Sequence, residues 1–136
     1  MLSKKSQYAF KALGYLTEKY NEGPILISEI AKKKKIPLKF LENILLELKK
    51  ADILGSKKGK GGGYFLKKDP AKVKMATIIR LVNGPIAMLP CVSLYFYERC
   101  KTCDEENCVL HDMMLEVRDA TLNILEQRVL TDLLPD

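Results

Sequence analysis

The chain has 136 residues, 47% hydrophobic and 29% charged. That is the size of one compact domain, or of a small domain with one appended element, and its composition is an ordinary globular mixture. Disordered, collagen-like and low-complexity scaffolds are excluded. With one histidine, His111, and no Trp, an enzyme built on several histidines is excluded as well.

The net charge of +6 hides two opposite halves. Residues 1–80 carry 19 Lys and Arg against 7 Asp and Glu, whereas residues 81–136 carry 4 against 10. Solvation of helix faces does not require so large an excess in 80 residues, and a polyanion partner for the first half is the simpler cause. The acidic half would repel that partner and is expected to do something else. No apolar run of secretory length follows Met1, and no stretch approaches the ~18 apolar residues of a membrane span. These features predict a cytoplasmic protein without a membrane partner. Four cysteines in that compartment point to metal ligands or redox-active thiols rather than structural disulfides.

Taken in chain order, Ala9, Leu13, Leu16 and Tyr20 recur at helical spacing within 4–20. Asn21-Glu22-Gly23-Pro24 ends that helix. Ile25-Leu26-Ile27 reads as a short extended run, and Ser28 as the N-cap of a short helix over 29–34. Ile36-Pro37 opens a third helix, with Leu38, Leu41, Leu45 and Leu48 on one face. Asp52-Ile53-Leu54 is strand-like and precedes Gly55. From Lys57 to Leu66, two short apolar arms flank a tip of Gly and Lys, the pattern of a β-hairpin. A P-loop is rejected, because only three residues separate Gly55 from Gly59-Lys60 and no Ser or Thr follows. Met75, Ile78, Ile79 and Val82 form a fourth helix face, closed by Asn83-Gly84-Pro85. Leu110, Met113, Met114, Val117, Thr121, Ile124 and Leu125 keep helical spacing in a long closing helix.

The expected fold is mostly α with a small β-wing: a winged helix-turn-helix followed by a long C-terminal helix. A helix of ~10–12 Å diameter enters a DNA major groove of similar width. Gly in the wing lets the main chain approach phosphate, and Lys neutralises it. The chain divides into a DNA-binding domain over 1–82, a cysteine-rich sensor loop over 83–108, and a dimerisation helix with its tail over 109–136.

The cysteines are Cys91, Cys100, Cys103 and Cys108, spaced C-x8-C-x2-C-x4-C, with His111 three residues beyond the last. Thiolates gathered in one loop before a helix suit a soft metal. An iron–sulfur cluster, a tetrahedral zinc site of four Cys or of three Cys and one His, and a thiol pair that oxidises to a disulfide are all compatible with that spacing.

Tyr8-Ala9, the segment from Ile36 to Glu42 (Ile-Pro-Leu-Lys-Phe-Leu-Glu), and Lys58-Gly59-Lys60-Gly61-Gly62-Gly63-Tyr64, in that order, resemble the Rrf2 family of bacterial transcription regulators. The similarity continues through Asp69-Pro70, Asn83-Gly84-Pro85-Ile86, the cysteine segment and Leu130-Thr131-Asp132-Leu133-Leu134. The family includes iron–sulfur, nitric-oxide and cysteine regulators. The resemblance implies a homodimer on a palindromic double-stranded DNA operator, joined through the long helix. By position, Lys39, Glu42 and Asn43 match residues that approach base edges, although a small hydroxyl residue is common where Lys39 stands. Lys58 and Gly59 match a wing-tip pair that enters the minor groove. Lys57, Lys60 and Ser28 complete the expected DNA interface, and some of Lys32–Lys35, Lys49 and Lys50 are expected on phosphate. The family also favours an iron–sulfur cluster of two or four irons in the cysteine loop over zinc. Cys91, Cys100, Cys103 and Cys108 are then its expected ligands, with His111 in reserve. The alternatives are a metal-free regulator controlled by a protein or small-molecule partner, and a zinc or thiol-switch version of the same regulator.

Overall fold

The structure is a computed structural model and describes residues 2–102 and 104–135. Helix α1 (Lys4–Glu18) starts at Ser3, whose Oγ accepts the Ser6 N–H at 3.1 Å. It buries Ala9, Ala12, Leu13 and Leu16. The chain turns through Asn21 in the left-handed region and enters α2 (Ile27–Lys34). The N-cap of α2 is Leu26, which has no side-chain cap, so the sequence expectation for Ser28 is corrected. Ser28 lies inside the first turn because Leu26 takes the extended geometry of a cap and its carbonyl accepts the Glu29 and Ile30 amides. The last turn of α2 holds Lys32, Lys33 and Lys34, the charge sign that suits a helix C-terminus.

Pro37 opens α3 (Leu38–Lys50), which buries Leu41, Ile44, Leu45 and Leu48 completely against α1 and α2. Asp52 is not in a strand: its φ of +66° makes it a turn residue, and β1 (Leu54–Lys57) begins two residues later. Strand β1 pairs antiparallel with β2 (Gly63–Leu66), with Leu54 opposite Leu66 and Lys57 opposite Gly63. Ile25 adds one bridge to Tyr64, with both amide–carbonyl bonds at 2.8 Å. Gly63 makes that third pairing possible. Its φ is +144°, and a Cβ there would lie 2.1 Å from the Ile25 carbonyl oxygen.

A 3-10 turn over Pro70–Lys72, capped by Asp69, leads into α4 (Met75–Val82). Next come a 3-10 turn at Pro90–Val92, a loop, a 3-10 turn at Glu105–Asn107, and α5 (Val109–Leu125). The closing 3-10 turn, Leu130–Leu133, returns to the first half. The Leu130 amide donates to the Val73 carbonyl at 3.0 Å and its side chain is fully buried in the core of α1, α3 and α4. The architecture is therefore mostly helical with one two-stranded antiparallel wing, as the sequence predicts. No helix among the described residues is long and apolar enough to cross a membrane.

Candidate nucleic-acid interface and metal centre

Two sites lie on different parts of the fold. The first is built by α2, α3 and the wing. Burial of Leu41, Ile44, Leu45 and Leu48 turns Lys39, Glu42 and Asn43 outward, at i, i+3 and i+4 on one exposed face of α3. That presents an acceptor, an amide and a cation together, the groups that read base edges. Edge-on packing of Tyr8 against Phe40, with ring centroids 5.4 Å apart, fixes the start of α3 on α1. The Tyr15 hydroxyl donates to Glu29 Oε2 at 2.6 Å and fixes the start of α2 on the same helix. That bond to a carboxylate, followed by burial, pushes the Tyr15 pKa up to about 12. Ser28 is exposed beside it.

Lys57, Lys58, Gly59 and Lys60 are exposed at the wing tip. The Gly62 amide closes the tip onto the Gly59 carbonyl at 3.0 Å, and a Cβ on Gly62 would meet the Lys57 carbonyl oxygen at 2.1 Å. Glycine there lets the tip fold back tightly and leaves the lysines pointing away from the body. Among the described residues, none of Lys57, Lys58 and Lys60 is in an ion pair, whereas Lys5 is paired with Glu47 and Lys67 with Asp52, each at 2.6 Å. The tip therefore presents uncompensated charge.

The second site lies in the loop between α4 and α5. Cys91, Cys100 and Cys108 line one cavity of about 430 Å³. Cys91 sits in the 3-10 turn at Pro90–Val92, Cys100 in the extended loop, and Cys108 is the N-cap of α5. Cys103 lies outside the described residues. Cys108 Sγ accepts the His111 amide at 3.4 Å, the kind of N–H···S bond that tunes metal–thiolate sites. The His111 side chain is 14% exposed, and its Nδ1 is buried with no hydrogen-bond partner; the nearest carboxylate, Asp112, is 3.6 Å away. A buried ring nitrogen without a partner is costly unless it serves a ligand. Ligand atoms of Cys91, Glu105 and His111 all lie within 4.8 Å of one another. Burial first, then the Glu105 carboxylate and Cys100, push the Cys91 thiol up. Three thiols around one cavity, with the His111 imidazole within 4.8 Å of the Cys91 sulfur, are donors that fit an iron–sulfur cluster or a soft cation.

Glu105 and Tyr97 were not singled out by sequence. The Tyr97 hydroxyl donates to Glu105 Oε1 at 2.6 Å, and that bond raises the Tyr97 pKa. The only sequence signal was position: Glu105 lies in the run Asp104-Glu105-Glu106 just before Cys108. The fold singles out the middle residue, because the Asp104 side chain caps the 3-10 turn by accepting the Glu106 amide while Tyr97 reaches Glu105.

The residues of the expected dimer contact show a third pattern. No residue of α5 is fully buried. Leu110, Met113, Val117 and Ile124 are exposed large hydrophobics, and Met114, Thr121 and Leu125 are half-buried. Val117, Thr121 and Leu125 line a groove shared with Ile79 of α4 and with the segment 85–88.

Comparison with known proteins agrees with this architecture. Residues 2–136 match the Rrf2 family, described as iron-dependent transcriptional regulators. The chain is 39% identical to an rrf2-like HTH-type transcriptional regulator of Rhodobacter capsulatus, over 98% of this chain and 92% of that one. It is 28% identical to the HTH-type transcriptional regulator IscR of Photorhabdus laumondii, over 97% and 77% of the two chains. Among solved structures, it superposes on CymR, the global cysteine regulator of Bacillus subtilis, with a TM-score of 0.80 at 26% identity, covering 98% of this chain and 95% of that one. On IscR of T. potens the TM-score is 0.77 at 25% identity, covering 97% and 84%. An outward-facing helix beside a lysine-tipped wing, in a chain matched from end to end, places this protein in the Rrf2 family of DNA-binding transcription regulators.

Proposed function

We propose that the chain is a homodimeric regulator that binds a palindromic operator and releases or rearranges on it when an iron–sulfur cluster in the loop at 83–108 changes state. The observation that carries this reading is the pairing of an uncompensated lysine wing with a cavity lined by three cysteines beside an orphaned histidine nitrogen. Lys39, Glu42 and Asn43 read bases, Lys57, Lys58, Gly59 and Lys60 hold the flanking backbone, and Ser28 meets phosphate at the start of α2. The apolar face of α5, from Leu110 to Leu125, is covered by the same face of a second copy about a two-fold axis.

Cys91, Cys100, Cys103 and Cys108 hold the cluster, with His111 in reserve. When bound, the cluster supplies a centre sensitive to redox state, oxidants and nitric oxide. Cys108 is also the cap of α5, so whatever holds its sulfur holds the first turn of the dimer helix. A change in the order of that turn alters the spacing of the two α3 helices on successive major grooves. Likeness to CymR favours a second reading, in which a protein or small-molecule partner supplies the signal and no metal is bound.

Anaerobic purification followed by visible absorption and by iron and sulfide assay separates the two. The cluster reading expects a coloured, iron- and sulfide-containing dimer that loses its chromophore in Cys91→Ala and Cys108→Ala while keeping its helical content. A protein that stays colourless after reconstitution overturns it.

A further inference from the structure

Among the described residues, the three donors that lie together around Cys91 are of three kinds. They are a thiol, a carboxylate and an imidazole, from Cys91, Glu105 and His111, with ligand atoms within 4.8 Å of one another. A single tetrahedral ion with bonds of about 2.0–2.3 Å holds its ligand atoms about 3.3–3.8 Å apart. Closing from 4.8 Å requires each donor to move by about 1 Å or less. In a sulfide-bridged cluster, terminal ligands on different irons lie farther apart than this, so three such ligands cannot all be mutually close.

Glu105 is oriented as a ligating carboxylate should be. Tyr97 donates to Oε1 at 2.6 Å, which engages one oxygen and leaves the other for a cation. His111 contributes an imidazole whose Nδ1 is buried without a hydrogen bond, with the exposed Asp112 carboxylate 3.6 Å away. It is fixed by its place in the first turn of α5, where its amide bonds Cys108 Sγ.

We propose that Cys91, Glu105 and His111 form a site for one divalent transition ion, such as Zn²⁺ or Fe²⁺, with Tyr97 as the residue that positions Glu105 and Cys108 or a water in the fourth place. Mixed sulfur, nitrogen and oxygen donors suit such borderline ions. This inference rests on the loop being the sensing site but not on a cluster being assembled there. Because Cys91 serves both, the ion and the cluster exclude each other, and the metal-loaded form is a second state of the same sensor.

The test uses the full chain, stripped of metal under anaerobic conditions and titrated with Co²⁺ alone. One equivalent should produce thiolate-to-cobalt charge transfer together with the intense visible d–d bands of a tetrahedral ion, and Zn²⁺ should displace it. Cys91→Ala should weaken Co²⁺ binding and cut the charge-transfer intensity to no more than Cys108 alone supplies. Glu105→Gln should weaken Co²⁺ binding and shift the d–d bands while keeping charge transfer, and Tyr97→Phe should weaken it about 10- to 100-fold. Circular dichroism of each variant checks folding. Unchanged affinity and d–d bands in Glu105→Gln, or no tetrahedral cobalt in the wild type, overturns the site. Iron and sulfide reconstitution of the wild type reads the cluster separately, so a colourless result there sinks the cluster and leaves the cobalt result standing.

Discussion

Tyr15 shows how one residue positions a recognition surface from behind. Its ring is part of the core, yet its hydroxyl reaches Glu29 in the first turn of α2. A hydrogen bond to an ionised group is worth about 1.5–3 kcal/mol, less here because Glu29 faces solvent. Tyr15→Phe should therefore cost about 1 kcal/mol at neutral pH in urea unfolding. The pH dependence gives the assignment. The phenol loses its proton at 10.0 in the unfolded chain and at about 12 in the folded one. The folded state holds the proton more tightly, so the contribution is complete below 10.0 and is lost as the pH rises to about 12. The difference between wild type and Tyr15→Phe should fall across that interval; a difference that stays flat would assign the cost to packing. At this scale the sequence was a partial guide. Cys91, Cys108 and His111 stand out by type and spacing. Glu105 does not, because three acidic residues in a row carry equal weight until the 3-10 turn selects one. Ser28 misleads for the opposite reason: it is a good capping residue two places past the cap position, which Leu26 fills with its backbone.

At the scale of elements, the helices were legible because their apolar period is strong. In α3 the core buries Leu41, Ile44, Leu45 and Leu48, at i, i+3, i+4 and i+7, whereas Leu38, expected on the same face, is 45% exposed in the first turn. The wing was legible as a hairpin, but its first strand was not. Leu54-Gly55-Ser56-Lys57 has little β-propensity, and it pairs because Phe65 packs over Gly55, where a Cβ would lie 2.5 Å from the ring. Helix α5 is the element that leaves a run of large apolar side chains uncovered. Its 17 residues include Leu110, Met113, Val117 and Ile124 at 41–59% exposure, and none is fully buried. Its end is nevertheless anchored, since Arg80 of α4 meets Glu126 at 2.9 Å and stacks on the Tyr95 ring. A helix held at its end but bare along its apolar face suits a dimer contact rather than a loose tail. Met113→Glu combined with Ile124→Glu should convert the proposed dimer to a monomer in size-exclusion chromatography with light scattering, at unchanged helical content. A variant that stays dimeric would move the contact to another face.

At the scale of the whole molecule, charge separation organises everything else. The excess of 12 positive charges in residues 1–80 and of 6 negative charges in residues 81–136 is visible in the sequence. The fold adds which lysines are already compensated. Lys67 is paired with Asp52 at the base of β2, while Lys58 stands at the wing tip with no ion pair among the described residues. Each phosphate neutralised by a protein cation contributes about 0.9 to the slope of log affinity against log salt. Lys58→Ala should lower that slope by about 0.9 per wing, or about 2 for a dimer with both wings engaged, with fluorescence anisotropy on a duplex as the measurement. Lys67→Ala removes the same formal charge from a residue whose field Asp52 already cancels, so its slope should match the wild type. Two equal slopes for the variants would mean that the molecule responds to net charge alone, and the wing would then have no particular place on the DNA. A steep loss confined to Lys58→Ala ties the cationic half to a defined contact, with α3 carried beside the wing into the neighbouring groove.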